Sequence, residues 1–228
     1  MNNTDNPFYR KMILTKDGSH SLYVPSLDES YHSTNGAIQE AAHIFIKDAL
    51  KWCAINKRAL NILEIGFGTG LNALLSLQYA QANKLQVSYF GVEKYPITEQ
   101  ESLLINYADN DASLKKEFMH LHQVEWGKWN QINKYFSLFK QQVDFRTMEL
   151  EANFFDVVYF DAFGPDVQPD LWTDKVFELI YNSMRRGGVM TTYSVKGIVR
   201  RAMKSVGFEV EKIPGPIGKR EITRAVKI

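Results

Sequence analysis

The sequence predicts an α/β protein built around a doubly wound, mainly parallel sheet. Short apolar runs alternate with segments of helical periodicity from about residue 60 onward, and this alternation is typical of βαβ units. A turn containing Gly66, Gly68 and Gly70 follows the first of these runs and opens a helix. Acidic residues, Glu93 and Asp161, follow two later runs. With 228 residues, 45% of them apolar, the chain is expected to form one domain over residues 1–228.

The N-terminal residues predict a β-hairpin followed by a long helix. Apolar and polar residues alternate over residues 11–25, on both sides of Asp17-Gly18, and this is a strong hairpin signal. We expect residues 1–34 to form a small appendage that carries this hairpin. Over residues 35–55 the apolar residues recur at helical spacing, and Thr34 or Asn35 can cap the start of the helix.

The remaining elements follow from the same two periodicities. Strands are expected at residues 60–65, 87–92, 157–160, 188–193, 208–212 and 222–226. Helices are expected at residues 71–82, 99–107, 171–184 and 198–205. Residues 109–151 are rich in aromatic and charged side chains, and they predict a helix followed by a poorly defined strand near residues 142–146.

The composition argues against several classes of protein. Cys53 is the only cysteine, so neither a disulfide framework nor a cysteine-based metal site is expected. The N-terminus lacks a hydrophobic signal region, and no stretch approaches the roughly 18 apolar residues of a membrane helix. His120 and His122 lie two residues apart without a cluster of other ligands, which is a poor spacing for a metal. We expect a cytoplasmic protein with no metal and no membrane contact.

Positive charge is concentrated in the C-terminal part of the chain. The net charge is +1, yet residues 185–228 contain eleven Lys or Arg and three Glu, which leaves this segment at +8 and the remainder at −7. Such a segment can contact phosphates, or it can form ordinary solvated faces, and charge alone does not distinguish the two. The phosphate-contact candidates that would flank a pocket mouth are Lys196, Arg200, Arg201, Lys219 and Arg220.

The glycine turn predicts an adenosine ligand. In doubly wound sheets, ligands bind beyond the carboxyl ends of the strands. Gly66, Gly68 and Gly70 allow the backbone to approach a ligand closely, and Glu93 at the end of the next strand can accept both hydroxyls of a ribose. Glu64 lies at the end of the first strand, where a carboxylate repels a pyrophosphate and suits a cationic cofactor. We therefore expect S-adenosylmethionine rather than NAD.

Asp161 is the candidate for chemistry at the fourth expected strand. It follows the apolar run "VVYF" and precedes Phe163 and a Gly-Pro turn. A carboxylate in this place can hydrogen-bond an amine, orient it and accept or relay its proton. The alternative is a turn aspartate before Gly164-Pro165. Phe163 can stack on an extruded base, or it can belong to the core.

Longer motifs resemble a known family. They are "STNGAIQE" (33–40), "IGFGTGLNALL" (65–75), "VEKYPIT" (92–98), "YFDAFGPDVQPDLWTDKVF" (159–177), "TYSVKGIVRRAMKSVGF" (192–208) and "GKREITRA" (218–225). In these motifs the sequence resembles the methyltransferase part of the tRNA 5-methylaminomethyl-2-thiouridine biosynthesis protein MnmC family, in its stand-alone form. The Asp-Ala-Phe-Gly-Pro and Pro-Asp-Leu-Trp pair, together with Gly-Lys-Arg-Glu, is specific to the family, whereas many methyltransferases share the glycine loop.

The resemblance implies a class I S-adenosylmethionine-dependent methyltransferase, with a Rossmann-like sheet whose last strand is antiparallel. The activity that it implies is methylation of the amine of 5-aminomethyl(-2-thio)uridine at the wobble position of tRNA. By this likeness Gly66, Gly68 and Glu93 face the cofactor or substrate, and Asp161 is the catalytic carboxylate. Asp144 stands where the family has a Gly-Asp before an adenine-contacting loop, and it is the expected substitute for that contact.

A further departure from the family concerns its second domain. Bifunctional members carry a flavin-dependent oxidase domain after the methyltransferase part, whereas this sequence ends at Ile228. We therefore expect no oxidase domain, and we expect separate enzymes to supply the aminomethyl uridine. Two other functions remain open. A small-molecule amine methyl- or aminopropyltransferase would use the same loop and Asp161, although the basic C-terminal segment disfavours a polycationic substrate. A non-catalytic RNA-binding protein would retain the fold alone.

Overall fold

The computed structural model describes residues 9–228, and it opens with the expected hairpin. Strands β1 (Lys11–Leu14) and β2 (His20–Val24) pair antiparallel around the Asp17-Gly18 turn, and β3 (Glu29–Ser30) pairs with β2 as a third strand. Gly18 has φ +82°, a value that glycine adopts without strain. The hairpin is thus confirmed, and the first eight residues of the expected appendage lie outside the described residues.

The helix after the hairpin is present, but its cap differs from the expectation. The helix starts as α1 (Ala37–Ala41) and continues as π-helical turns over Ala42–Lys51. Its N-cap residue is Gly36, which offers no side chain, so capping by Thr34 or Asn35 is wrong. The hairpin turn supplies the acceptors instead, because Ser19 Oγ accepts from the backbone N–H of Ala37 at 3.2 Å and Asp17 Oδ2 accepts from that of Gln39 at 3.1 Å.

The main sheet has eight strands in the order β10-β11-β9-β8-β4-β5-β7-β6. The strands are β4 (Ala59–Ile65), β5 (Gln86–Glu93), β6 (Trp129–Asn133), β7 (Phe136–Gln142), β8 (Phe155–Phe160), β9 (Met184–Thr192), β10 (Phe208–Pro214) and β11 (Glu221–Lys227). The helices are α2 (Leu71–Asn83), α3 (Glu99–Leu104), α4 (Ala112–Gln123), α5 (Asp174–Ser183) and α6 (Gly197–Ser205). All six expected strands are therefore present.

The chain direction within the sheet locates the ligand-binding edge. Strands β4, β5, β7, β8 and β9 are parallel, and the last strand, β11, is antiparallel to β9. From β4 the chain moves outward to β5 and β7, and it then returns to the other side of β4 as β8. The strand order thus reverses between β4 and β8, which is where doubly wound sheets bind ligands. Large apolar clusters cover both faces of this sheet, one with Phe45 and Leu77 and the other with Phe160 and Phe177.

The structure corrects the expectation for residues 142–146. The strand there is β7, which ends at Gln142, and residues after it form a 3₁₀ turn, Phe145–Thr147, capped by Asp144. The alternating pattern of β7 was hidden because Lys140 occupies a buried position, 1% exposed. Its ammonium donates to the carbonyl of His122 at 2.8 Å and lies 4.8 Å from the Trp126 ring centroid.

Two helices are shorter than expected. Helix α5 begins at Asp174 because Thr173 caps it and Pro169–Leu171 forms a separate 3₁₀ turn. Helix α3 ends at Leu104 rather than at residue 107. Over residues 9–228, the structure contains no helix that is long and apolar enough to cross a membrane.

Candidate functional site

A cavity of about 610 Å³ opens at the carboxyl edge of the main sheet, beside the point where the strand order reverses. This volume is within the range of small-molecule and cofactor sites. Residues at or just beyond the ends of β4, β5, β7 and β8 line it, and residues 28–34 of the N-terminal segment form another wall. The N-terminal segment therefore takes part in the site, although the sequence predicted only a small appendage there.

The first two glycines of the turn shape the cavity. Gly66 has φ +93°, and a Cβ there would lie 2.6 Å from the carbonyl oxygen of Asp161. Gly68 has φ +50°, and a Cβ there would lie 3.0 Å from the Tyr31 ring. Both glycines line the cavity. Side chains at these positions would close the space that the backbone leaves open, so the loop fits the cradle that an adenosine cofactor requires.

Two residues expected at the cofactor lie behind the loop instead. Gly70 does not line the cavity, and a Cβ on it would meet the His122 ring at 3.1 Å. Glu64 is 0% exposed and is also absent from the lining. The described geometry therefore does not support the direct cofactor contact expected of Glu64, which stays a prediction. Burial raises the pKa of Glu64 well above its usual range. The sequence pattern placed Glu64 at the strand end but could not show that its side chain points into the core.

Glu93 lies in the cavity wall and organises the loop. Its Oε2 accepts a hydrogen bond from the backbone N–H of Gly68 at 3.0 Å, and its Oε1 accepts one from that of Tyr95 at 2.8 Å. A carboxylate oxygen can accept more than one hydrogen bond. Glu93 is therefore held in place while retaining lone pairs for hydroxyl groups of a ligand.

Asp144 also reaches the cavity, but its carboxylate is already paired. Lys94 lies 3.0 Å from it and Arg146 2.6 Å from it. The hydrogen bonds from Arg146 and Lys94 hold the pKa of Asp144 well below its usual range. Arg146 also bridges to Asp170 at 2.8 Å. An adenine that contacts Asp144 would bind a carboxylate already paired with Lys94 and Arg146. Contact between Asp144 and an adenine stays a prediction.

Asp161 lines the cavity on the opposite side of the loop from Glu93. Its backbone N–H continues the strand pairing with Ile65, and its Oδ2 accepts a hydrogen bond from Asn72 Nδ2 at 2.8 Å. Burial raises the pKa of Asp161 to about 8, and the hydrogen bond from Asn72 opposes that rise. Perturbed carboxyl groups in a cavity are typical of proton-transfer sites.

Several functional candidates were missed by the sequence reasoning. Asn72 was not singled out, although its amide touches both Glu64 and Asp161. Tyr31 and His32 also line the cavity, and burial lowers the pKa of His32 to about 4, so that its ring is neutral. The only available signal was the motif "STNGAIQE", which follows these two residues directly.

Of the basic candidates, only Lys219 belongs to the cavity lining. Its ammonium pairs with Glu40 at 2.5 Å and lies 4.3 Å from the Tyr193 ring centroid. Phe163 lines the cavity as well, with its ring 5.3 Å from that of Tyr31 in an edge-to-face contact. Lys219 and Phe163 are therefore the two substrate candidates that the structure brings next to Asp161.

The other four basic candidates lie outside the cavity. Lys196 pairs with Asp166, and Arg200 donates to the carbonyl oxygen of Val195 at 3.3 Å. Arg201 and Arg220 are exposed. Helix α6 and the start of β11 carry them near the carboxyl edge of the sheet. They form a surface beside the cavity rather than a part of it.

The two histidines of the C-terminal part of α4 do not form a metal site. His122 Nε2 lies 3.1 Å from the carbonyl oxygen of Thr69 and supports the glycine loop from behind. Within residues 9–228, the structure brings together no group of three or more His, Cys, Asp or Glu side chains that could hold a metal ion.

Known proteins resemble this chain in sequence and in fold. The sequence profile of a family described as S-adenosyl-L-methionine-dependent methyltransferase matches residues 129–228. The bifunctional MnmC protein of Marinomonas sp. (strain MWYL1) is 31% identical over 214 residues, which cover 86% of this chain and 31% of that protein. The crystal structure of MnmC2 from Aquifex aeolicus superposes with a TM-score of 0.82 at 27% identity, over 96% of this chain and 70% of that one.

The chain resembles S-adenosyl-L-methionine-dependent methyltransferases in sequence and in fold. Its resemblance to the methyltransferase part of the MnmC family is confirmed by these matches. Spermidine synthase from Thermotoga maritima, at 14% identity and a TM-score of 0.55, shares the fold alone. The chain spans about a third of the length of the curated relatives that it matches. Binding of the methyl donor at the glycine loop stays a prediction.

Proposed function

We propose that this methyltransferase methylates the amine of 5-aminomethyl(-2-thio)uridine at the wobble position of tRNA. The observation that carries the proposal is Asp161, a carboxyl group of raised pKa that borders the cavity beside the glycine loop. The names of the relatives support the nucleic-acid part, since the Marinomonas protein is a tRNA 5-methylaminomethyl-2-thiouridine biosynthesis protein.

The residues that hold the cofactor are Gly66, Gly68 and Glu93. The two glycines leave room for it, and the Glu93 carboxylate faces the cavity with spare acceptor capacity for ribose hydroxyls. S-adenosylmethionine supplies an electrophilic methyl group, whose carbon–sulfur bond breaks with its electron pair left on sulfur as the amine nitrogen attacks. The protein must therefore align a neutral amine and exclude competing acceptors.

Asp161 is suited to making that amine neutral. An alkylammonium with a pKa near that of lysine, about 10, does not carry a free lone pair at neutral pH. Proton transfer to an ordinary aspartate, with a pKa of about 4, is uphill by roughly six pH units. With the pKa of Asp161 at about 8, that gap is reduced by roughly four units. The raised pKa brings the base close to its acceptor amine, which is where general-base catalysis is efficient.

The charge of the cavity favours a cationic substrate. Seven acidic and three basic side chains line it. This excess attracts an ammonium group and the positively charged donor, and it repels free phosphate. A phosphate backbone would thus remain on the surface outside, where Arg201 and Arg220 are exposed. Only the modified base would enter, next to the partly exposed ring of Phe163.

The test uses the purified chain with S-adenosylmethionine labelled in its methyl group. One acceptor is tRNA that carries 5-aminomethyl-2-thiouridine, and the control is the same tRNA with an unmodified wobble uridine. We expect label in 5-methylaminomethyl-2-thiouridine after nucleoside analysis, and none with the control. Transfer to free polyamines but to neither tRNA would replace this proposal with a small-molecule activity. RNA binding without transfer to any acceptor would indicate a non-catalytic protein.

Two finer points of the proposal rest on the sequence alone. We propose that a separate enzyme produces the aminomethyl group and that both proteins act in the cytoplasm. In cells lacking this chain, the aminomethyl form of the wobble uridine would then accumulate in tRNA. Nucleoside analysis of that tRNA tests the order of the two steps.

A further inference from the structure

A buried amide connects the two carboxyl groups near the glycine loop. Asn72, the second residue of α2, is 3% exposed. Its Nδ2 donates to Glu64 Oε1 at 2.9 Å and to Asp161 Oδ2 at 2.8 Å. An amide nitrogen carries two hydrogens, so both are committed to carboxyl oxygens. Side chains from α2, the end of β4 and the end of β8 thus form one connected polar unit.

A purely structural role, in which Asn72 only joins α2 to the sheet, does not explain this unit well. The Oδ1 atom of Asn72 is buried with no hydrogen-bond partner among residues 9–228, and an unpaired buried acceptor is unfavourable. Helix α2 is also already joined to β8 one turn further along, where Ser76 Oγ lies 3.1 Å from the Tyr159 hydroxyl. The Asn72 side chain is therefore placed so that both of its N–H groups donate to carboxyl oxygens, while its own carbonyl oxygen is left without a hydrogen bond.

The donors of Asn72 act on the charge state of Asp161. A hydrogen bond donated to a carboxylate favours its ionised form. Burial raises the pKa of Asp161 and the nearby Glu40 raises it too, whereas Asn72 and Lys219 lower it. The other titratable groups that interact with Asp161 are Glu64, Tyr89, Tyr107 and Tyr193. Within this set, Asn72 makes the hydrogen bond to the carboxylate oxygen itself.

We propose that Asn72 is a positioning residue for methyl transfer: anchored on Glu64, its amide orients the Asp161 carboxylate and favours its ionised form, which takes a proton from the acceptor amine. This inference rests on the proposed function. It also gives Glu64 a role that fits its place in the core, because Glu64 holds the far hydrogen of the amide and so fixes the direction of the near one.

The first test measures Asp161 without any methyl transfer. The chain is labelled with ¹³C at its aspartate carboxyls, and the Asp161 signal is assigned by its loss in Asp161→Asn. We expect Asn72→Leu, which keeps the approximate volume and removes the donor, to raise the titration midpoint of Asp161 by about one pH unit. Ser76→Ala is the matched control, because it removes the next helix-to-strand hydrogen bond on α2 and leaves Asp161 untouched. The titration midpoint of Asp161 in Ser76→Ala should equal that in the unmodified chain.

The second test is the pH profile of single-turnover methyl transfer. In Asn72→Leu the rise of rate with pH should move up by the same amount as the titration midpoint, so that the rate falls about tenfold at pH 7 and recovers at high pH. Ser76→Ala should keep the original profile. If Asn72→Leu does not fold, Asn72→Ser serves instead, since its shorter side chain cannot reach both carboxyls.

The outcomes separate this inference from the proposed function. An unchanged Asp161 midpoint in the folded Asn72 variant would overturn the role of the amide, whatever the activity. A raised midpoint with an unshifted rate profile would also overturn it, because the ionisation of Asp161 would then not limit transfer. If the unmodified chain transfers no methyl group to tRNA, the proposed function fails, and the titration alone still decides whether Asn72 controls Asp161.

Discussion

The two sides of the cavity treat their carboxyl groups differently. On the side formed by β5 and β7, which we call the binding side, Glu93 accepts from two backbone N–H groups and Asp144 pairs with Lys94 and Arg146. On the side formed by β4 and β8, the transfer side, Glu64 and Asp161 share one amide, that of Asn72.

The difference in partners separates their chemistry. Cationic donors hold the pKa of Asp144 low, so this carboxylate stays charged at any physiological pH. Burial raises the pKa of both Glu64 and Asp161. For Asp161 it reaches about 8, so that this group can gain and lose a proton near neutrality. A single edge of one sheet thus offers fixed charges for holding a ligand and a titratable group for moving a proton, which is the division that methyl transfer to an amine requires.

The largest effect is expected from a substitution on the transfer side, at Asp161. Asp161→Asn keeps the shape and removes the base, so turnover should fall by roughly 10² to 10⁴ while cofactor affinity stays nearly constant. The rate of the unmodified enzyme should rise with pH through about 8, because the deprotonated form is active. The variant lacks this rise and should recover partly at higher pH, where the amine loses its proton to solvent.

Measurement of kcat against pH for both proteins, with cofactor affinity by calorimetry, checks this prediction. A variant that transfers methyl groups at the unmodified rate across the whole pH range would show that Asp161 is a structural turn residue.

The binding side can be broken at the glycine loop. Gly68→Val places a branched side chain where a Cβ already approaches the Tyr31 ring at 3.0 Å, and we expect at least a hundredfold loss of S-adenosylmethionine affinity by calorimetry. Gly187→Val is the matched control, because Gly187 also has a positive φ, +76°, but no atom within 4 Å of its Cβ position. Equal losses in the two variants would attribute the effect to backbone strain rather than to the cavity.

We expect the transfer side of the cavity to face the RNA. Arg201 and Arg220 lie near the carboxyl edge on the transfer side, so Arg201→Ala with Arg220→Ala should flatten the dependence of log affinity for tRNA on log salt by roughly 1 to 2 units. Arg58→Ala with Lys84→Ala removes two exposed cations at the opposite edge of the sheet and should leave the slope unchanged. Equal slopes in both double variants would place the RNA elsewhere.

The smallest effect is expected at Glu64. Because its carboxyl lies in the core and its raised pKa favours the neutral form, Glu64→Gln should change cofactor affinity by less than about twofold. Glu93→Gln is the control on the binding side and should weaken the cofactor more, since it removes an acceptor in the cavity wall. A large loss of affinity in Glu64→Gln would restore the direct cofactor contact that the sequence suggested.

The sequence by itself determined the architecture and the edge at which the site lies. The alternation of strand and helix periods, the glycines at 66, 68 and 70, and acids at strand ends are local patterns, and local patterns report backbone conformation well. They were sufficient to predict the hairpin, the doubly wound sheet, and the positions of Glu93 and Asp161 in the cavity, whereas the antiparallel last strand was implied by the resemblance to a family. The resemblance to a family supplied the proposed substrate.

Only the tertiary structure decided which way side chains point and what they meet. Glu64 and Glu93 both follow apolar strand residues, yet one side chain is buried and the other faces the cavity, because Glu64 pairs with Gly91 inside the sheet whereas Glu93 lies two residues further along, at the carboxyl edge. Asn72 reaches Asp161 across 89 residues of sequence, and Lys140 is buried through contacts with a separate helix and loop. Such contacts depend on distances between elements, which periodicity along the chain does not encode.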